Sequence, residues 1–299
     1  MHWPAGALPY DLPFTLGHEV AGTVVELGAG ADGVEVGDSV LVYGPWGWGV
    51  CRRCSRGEEH LCERPRQARG CGLGRDGGLA EYVVVPSTRL LVPLDGLDPV
   101  RAAPLADAGL TPYHAIRRAL GGREPGAAAV VIGVGGLGHV AVQLLGALSG
   151  ARIAAVDVRD SALELALAAG ADVALPAGDD AADRLRREVG EAALVIDCVG
   201  SDATLALAGS IVAPGGHVSI LGTAGGMFPM RRGGVPMETS VVISNWGTRA
   251  ELAEVVALAR AAVISLEVQP VGLADVVGAY GRLEHGDVRG RVVAVPEVA

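Results

Sequence analysis

The sequence predicts an α/β chain in two parts, a β-rich first part followed by a doubly wound parallel sheet of six strands. Three observations carry this. At 299 residues the chain exceeds a comfortable single core. Up to about residue 92, short β-rich runs are broken by Gly, Pro and Asp turns. From about residue 111, apolar runs of strand length alternate with helical patterns, which is the signature of parallel βαβ units.

Composition narrows the function classes. Half the residues are hydrophobic and 19% are charged, with 45 glycines, which suits tightly packed α/β layers better than disorder or a fibre. The 24 basic and 34 acidic residues sum to −10, and no Lys/Arg run forms a stripe for a phosphate backbone, so nucleic acid is not an expected partner. Every apolar stretch is interrupted before it reaches membrane-spanning length. The start Met1-His2-Trp3-Pro4 lacks a basic segment and an apolar segment of signal-peptide type, so a cytoplasmic location without membrane association is expected. Five cysteines, three of them bunched as Cys51, Cys54 and Cys62, favour metal over disulfides; Cys71 and Cys198 read as ordinary core or loop residues.

In chain order, the runs 20–27, 39–43 and 79–85 read as strands of a small barrel or sandwich. The six parallel strands are expected at 128–132, 152–156, 172–175, 194–197, 217–221 and 240–244. Helices are expected at 138–149 and at 161–169, the second opened by the capping-box pattern Ser161-x-x-Glu164 and closed by Gly170. After the sixth strand, 249–261 repeats apolar residues at helical spacing, and a last strand-like run at 292–295 returns to the first part. These limits give a first domain of residues 1–106 with 246–299, and a second of residues 107–245.

The first parallel strand runs directly into Gly133-Val134-Gly135-Gly136-Leu137-Gly138 and then a helix. That context makes G-x-G-x-x-G the dinucleotide fingerprint of a Rossmann domain. Gly133 makes the tight turn, Gly135 admits the pyrophosphate, and Gly138 lets helix pack on strand, while the loop as a whole, Gly136 and Leu137 included, leads to a helix N-terminus that favours phosphate. Asp157 ends the second strand at close to the spacing, about 20 residues on, of the carboxylate that binds an adenosine ribose. It favours NAD over NADP, although Arg159 could welcome a 2′-phosphate. His139, just past the last glycine, reads as a helix-surface residue.

Two further segments carry metal-ligand chemistry. Gly17-His18-Glu19 opens a strand, where a side chain can face a cleft, and Asp107-Ala-Gly-Leu-Thr111-Pro-Tyr-His114 falls at the change of texture between the two parts. Taken together with the cysteine cluster between them and the glycine fingerprint after them, they resemble the zinc-dependent medium-chain alcohol dehydrogenases, more narrowly the bacterial secondary-alcohol branch with Asp as a zinc ligand. The similarity spans essentially the whole chain.

This resemblance implies a GroES-like catalytic domain beside the Rossmann domain, and it implies zinc and NAD as cofactors. It makes His18 and Asp107 ligands of the catalytic zinc, and Glu19 a neighbour able to approach the metal. His114 is not assigned to zinc. The resemblance puts Thr111, the turn at Leu221 and the segment holding Val199 beside the cofactor, and Arg291 at the pyrophosphate. Tyr10, Trp46 and Trp246 are expected to line the substrate pocket, whose aromatic walls favour small apolar alcohols, aldehydes or ketones.

The family's remaining zinc ligand is a Cys in Gly-x-Cys-His-Ser/Thr-Asp, a motif absent here. An N-terminally truncated, incomplete first domain is therefore expected, with an NAD-binding chain of weak or no turnover as the alternative to a full enzyme. Cys51, Cys54 and Cys62 resemble the structural-zinc lobe spaced C-x2-C-x2-C-x7-C, with Trp48 in the first position. Structural zinc is nearly always four-coordinate, so water or His60 would have to fill that place, and a metal-free lobe with exposed thiols is the alternative. A homodimer or homotetramer is expected.

Overall fold

The computed structural model describes residues 12–64, 70–121 and 126–296, so Tyr10 lies outside the described residues. The chain separates into two compact units, one of Thr111–Asn245, the other of the flanking segments that end at Leu110 and begin again at Trp246. Residues 107–110 fall with the flanking segments rather than with 111–245. Contacts inside that unit hold them, since Asp107 reaches His18 and Gly109 sits against Leu105 and Val255.

The flanking unit opens with β1 (Val20–Thr23), β2 (Ser39–Val42), the dipeptide strands β3 (Gly70–Cys71) and β4 (Gly74–Arg75), β5 (Leu91–Pro93) and the short helix α1 (Pro99–Ala102). β1, β2 and β5 form an antiparallel sheet in that order. Its core holds Leu41, Tyr43, Leu90, Leu94 and Leu105, all fully buried. The run 79–85 is not a strand. The N–H groups of Gly77, Gly78 and Leu79 donate instead to the carbonyls of Thr15, Gly17 and Leu16, and past that point Tyr82 and Val84 are 72% and 86% exposed. Alternating side chains without a neighbouring ladder do not make a strand.

The other unit follows from α2 (Leu110–Ala119) through β6 (Ala128–Ile132), α3 (Gly138–Leu148), β7 (Arg152–Asp157), α4 (Asp160–Ala168), β8 (Val173–Pro176), α5 (Ala181–Val189), β9 (Ala192–Asp197), α6 (Asp202–Ile211), β10 (Val212–Ile220) and β11 (Ser240–Ile243). All six strands pair in parallel in the order β11-β10-β9-β6-β7-β8. The winding therefore reverses between β6 and β9, the point where open α/β sheets take their ligands. Val130, Val156, Val195, Leu205 and Val218 lie in one apolar core, which explains why the strands read as unbroken apolar runs.

Two local expectations are corrected here. α4 begins at Asp160, not at Ser161 under a capping box, because the Arg159 carbonyl accepts the Ala162 and Leu163 N–H groups at 3.1 Å and closes the first turn one residue earlier. The reciprocal capping boxes belong to Ser201–Thr204 at α6 and to Thr248–Glu251 at a later helix. His139 is not on a helix surface either. It is buried, with Nδ1 2.8 Å from the Gly135 carbonyl, so its ring braces the glycine loop.

The chain returns to the flanking unit as α7 (Arg249–Arg260), β12 (Val268–Gly272), α8 (Val276–Glu284) and β13 (Arg291–Val295), with β12 and β13 paired in parallel. Among the described residues no helix is long and apolar enough to cross a membrane.

Candidate active site

His18 is presented by tight backbone packing. Gly17 has φ +98°, and a Cβ there would lie 2.8 Å from the Leu79 nitrogen, so no larger residue fits. Asp107 ends the 3-10 turn Ala103–Ala106 just before α2. These two elements bring His18 Nε2 within 3.3 Å of Asp107 Oδ2. Two ligand atoms on a tetrahedral zinc, each at about 2.0–2.1 Å, also lie about 3.3 Å apart, so the pair fits that ion.

Burial of the imidazole works to lower its pKa, but the hydrogen bond to Asp107, that residue's charge and the charge of Glu19 outweigh it, and the pKa is raised above 6.5. Glu19 is held at both oxygens: Oε1 accepts the Ala108 N–H at 2.9 Å and Oε2 is ion-paired with Arg291. It thus fixes the backbone beside Asp107. The Arg291 guanidinium is opposed by burial, yet Glu19 raises its pKa. Neither pairing of Glu19 has a sequence signature, since Arg291, expected at the pyrophosphate, meets Glu19 only through the last strand.

Of the expected pocket residues, Trp46 is buried, and its carbonyl accepts from Arg89 Nη2 at 3.3 Å. The Trp246 indole stands edge-on to the His18 ring, with centroids 5.9 Å apart and planes at 84°. It lies against Gly44, where a Cβ would come within 3.2 Å of the indole. Tyr43 donates its hydroxyl to the Gly247 carbonyl at 2.6 Å, which ties β2 to the segment carrying Trp246.

In the other unit the glycine loop matches a dinucleotide cradle. A Cβ on Gly138 would sit 2.0 Å from the Gly133 carbonyl oxygen, and one on Gly133 2.5 Å from the Val199 side chain. Beside Gly135, by contrast, the nearest atom is Arg159 Nη2 at 3.8 Å, leaving backbone open to a phosphate. Leu137 caps α3 without a side-chain bond, as a phosphate-binding helix start requires. Asp157, 7% exposed, accepts Val134 N–H at 2.7 Å and Arg159 Nε at 3.3 Å.

At the end of β9 the buried Asp197 accepts the N–H groups of Val199 and Gly200, and the Leu221 N–H donates to the Asp197 carbonyl. Gly133, Val199 and Leu221 are therefore gathered at the reversal of the winding. Thr111 is buried in α2.

Cys51 Sγ lies 3.4 Å from Cys54 Sγ and 3.9 Å from Cys62 Sγ. Cys51 and Cys54 are buried and Cys62 is half-buried, so they are not freely exposed thiols. The Cys54 N–H lowers the Cys51 pKa to about 7, whereas burial raises that of Cys54 to about 11. Beneath them the buried Glu59 is ion-paired with Arg89, a link between distant residues that no local pattern announces.

Comparisons with known proteins agree with these features. The family profile described as an alcohol dehydrogenase GroES-like domain matches residues 1–96, and that of zinc-binding dehydrogenases matches residues 136–261. An NAD-dependent alcohol dehydrogenase of Sulfurisphaera tokodaii is 38% identical over 97% of this chain and 84% of its own length. The D-arabinose 1-dehydrogenase (NADP(+)) of Saccharolobus solfataricus is 37% identical over 96% and 82%. The crystal structure of the alcohol dehydrogenase of Aeropyrum pernix matches with a TM-score of 0.90 at 35% identity, covering 97% of this chain and 85% of that one. This chain belongs to the zinc-type medium-chain alcohol dehydrogenase family, and it is an oxidoreductase with a GroES-like part and a Rossmann part.

Proposed function

We propose that this chain interconverts a small apolar primary or secondary alcohol and its aldehyde or ketone with NAD, using a zinc ion for which His18 and Asp107 are donors. The observation that carries this reading is the 3.3 Å approach of His18 Nε2 to Asp107 Oδ2 at ligand spacing. When bound, zinc supplies Lewis acidity to the alcohol oxygen and NAD accepts the hydride.

The chain's own residues do the rest. His18 must be neutral to ligate, so it gives up its proton before metal enters. Glu19 holds the Ala108 N–H and with it the position of Asp107. Trp46 and Trp246 form apolar walls that exclude water and select apolar substrates. Gly133, Gly135, Gly136, Leu137 and Gly138 receive the pyrophosphate, with Arg291 adding charge, while Asp157 accepts from the ribose. Thr111, Val199 and Leu221 border the nicotinamide. A cytoplasmic location and a homodimer or homotetramer complete the reading.

The experiment is NADH formation from a secondary alcohol, with zinc content measured on the same samples. His18→Ala and Asp107→Ala are each expected to lose zinc and at least about 100-fold in kcat/KM, more than the loss of a residue that merely supports a ligand. Undiminished turnover after complete zinc removal would sink the proposal.

A further inference from the structure

Cys51, Cys54 and Cys62 take no part in that reaction, yet they are the one group of three metal-ligating side chains gathered among the described residues. We propose that they form a three-sulfur site for a thiophilic divalent cation that no fourth ligand among the described residues closes. The last coordination position then takes a small donor from solution, and the ion exchanges with the medium.

The sulfur geometry supports an ion. The three sulfurs lie within 4.8 Å of one another, with separations of 3.4 Å and 3.9 Å from Cys51. Sulfurs on a tetrahedral zinc, each at about 2.3 Å, sit about 3.8 Å apart. Backbone donors favour the anionic form of Cys51 and Cys62: Cys54 N–H points at Cys51 Sγ at 3.5 Å, while Trp48 N–H and Arg64 N–H point at Cys62 Sγ at 3.3 Å and 3.4 Å.

The fourth position is what departs from a closed structural site. Among the described residues, no further His, Cys, Asp or Glu ligand atom lies within 4.8 Å of all three sulfurs. Trp48 stands where a fourth sulfur would be expected, and an indole N–H is a donor that cannot ligate. Its ring is engaged by the Arg64 guanidinium at 3.9 Å and is 40% exposed, and beside it Cys62 is half-buried. The buried Glu59–Arg89 pair and the Arg89 bond to the Trp46 carbonyl also brace the lobe. Soft thiolates select thiophilic metals, while the missing ligand makes release easy.

The test uses the full chain, reduced, with His18→Ala and Asp107→Ala introduced together so that the other site stays silent. Titration with cadmium is expected to give one ion per chain and an ultraviolet sulfur-to-metal band, lost in Cys62→Ser. Zinc loaded at the site should pass to a chromogenic chelator, and Trp48→Cys should slow that transfer by about 10- to 100-fold. No sulfur-to-metal band would overturn the proposal, as would zinc release equally slow with Trp48 and with Cys.

Should Trp48→Cys misfold, cobalt in the Trp48 chain provides the second measurement: its spectrum is expected to change on adding imidazole, and an unchanged spectrum would mean a closed site. Failure of the His18–Asp107 reading would appear in alcohol oxidation and leave the sulfur band untouched.

Discussion

At His18 two opposed influences meet, and the acidic neighbours win over burial, so the imidazole keeps its proton to higher pH than a free one. In chelator-treated protein this raised value makes the His18–Asp107 pair a source of stability that is present in full below the unfolded pKa and is lost as pH rises through the folded one. The melting-temperature difference between wild type and His18→Gln should therefore shrink from about pH 5 to about pH 8, while zinc affinity, in competition with the same proton, should grow. A difference that stays flat with pH would detach His18 from Asp107. Asp157 allows a second residue-level test: if its carboxylate serves the ribose as proposed, Asp157→Ala is expected to raise the KM for NAD by about 10-fold and, with Arg159 freed, to leave or lower that for NADP. Equal losses for both cofactors would remove Asp157 from the ribose. These residues were legible because each stands in a motif with a fixed offset from glycines. The anchor from Glu19 to Ala108 and the pairing with Arg291 were not, since they join elements that only tertiary packing brings together.

Among the elements, α3 offers two glycines with opposite expectations. A Cβ on Gly138 would meet the Gly133 carbonyl at 2.0 Å, whereas one on Gly146 meets only Ile153 Cδ1, at 3.9 Å. Gly138→Ala should destabilise by about 1–3 kcal/mol and weaken NAD binding at least about 10-fold, since the loop must open. Gly146→Ala should instead stabilise by about 0.5–1 kcal/mol with NAD affinity unchanged. Calorimetric melting and NAD titration of both variants decide the matter; a tolerated Gly138→Ala would remove the close packing of helix on strand. The same unit shows why its central strands could be read in advance: β6, β7 and β9 are buried on both faces and so write nearly their full length as apolar runs. In the flanking unit, 20–27 shortens to Val20–Thr23 and 79–85 forms no strand, because short strands there depend on partners that the sequence does not name. The cysteine lobe was legible as a cluster, but its Glu59–Arg89 brace was not.

For the whole molecule, the chain leaves the flanking unit at Leu110 and comes back at Trp246, so that unit is assembled from two distant stretches. The Tyr43 hydroxyl bond to the Gly247 carbonyl spans 204 residues of sequence and holds the returning stretch at its first turn. Tyr43 is fully buried, and burial, with the charge of Glu59 adding to it, pushes the phenol pKa far up, so the hydroxyl remains a donor at any working pH. Removing it leaves a buried carbonyl without that donor, at a cost of about 1–3 kcal/mol. Trp246, the neighbour of Gly247, adopts φ +54°, a backbone conformation that an aromatic residue keeps only when its surroundings impose it. Loosening the anchor should therefore free the indole from its edge-on place beside His18. Tyr43→Phe is expected to lower the melting temperature and to raise the KM for alcohol several-fold, while the KM for NAD stays where it was, because the glycine cradle belongs to the other unit. Parallel increases in both KM values would mean that the hydroxyl serves general stability alone, and Trp246 would then have no part in holding the substrate.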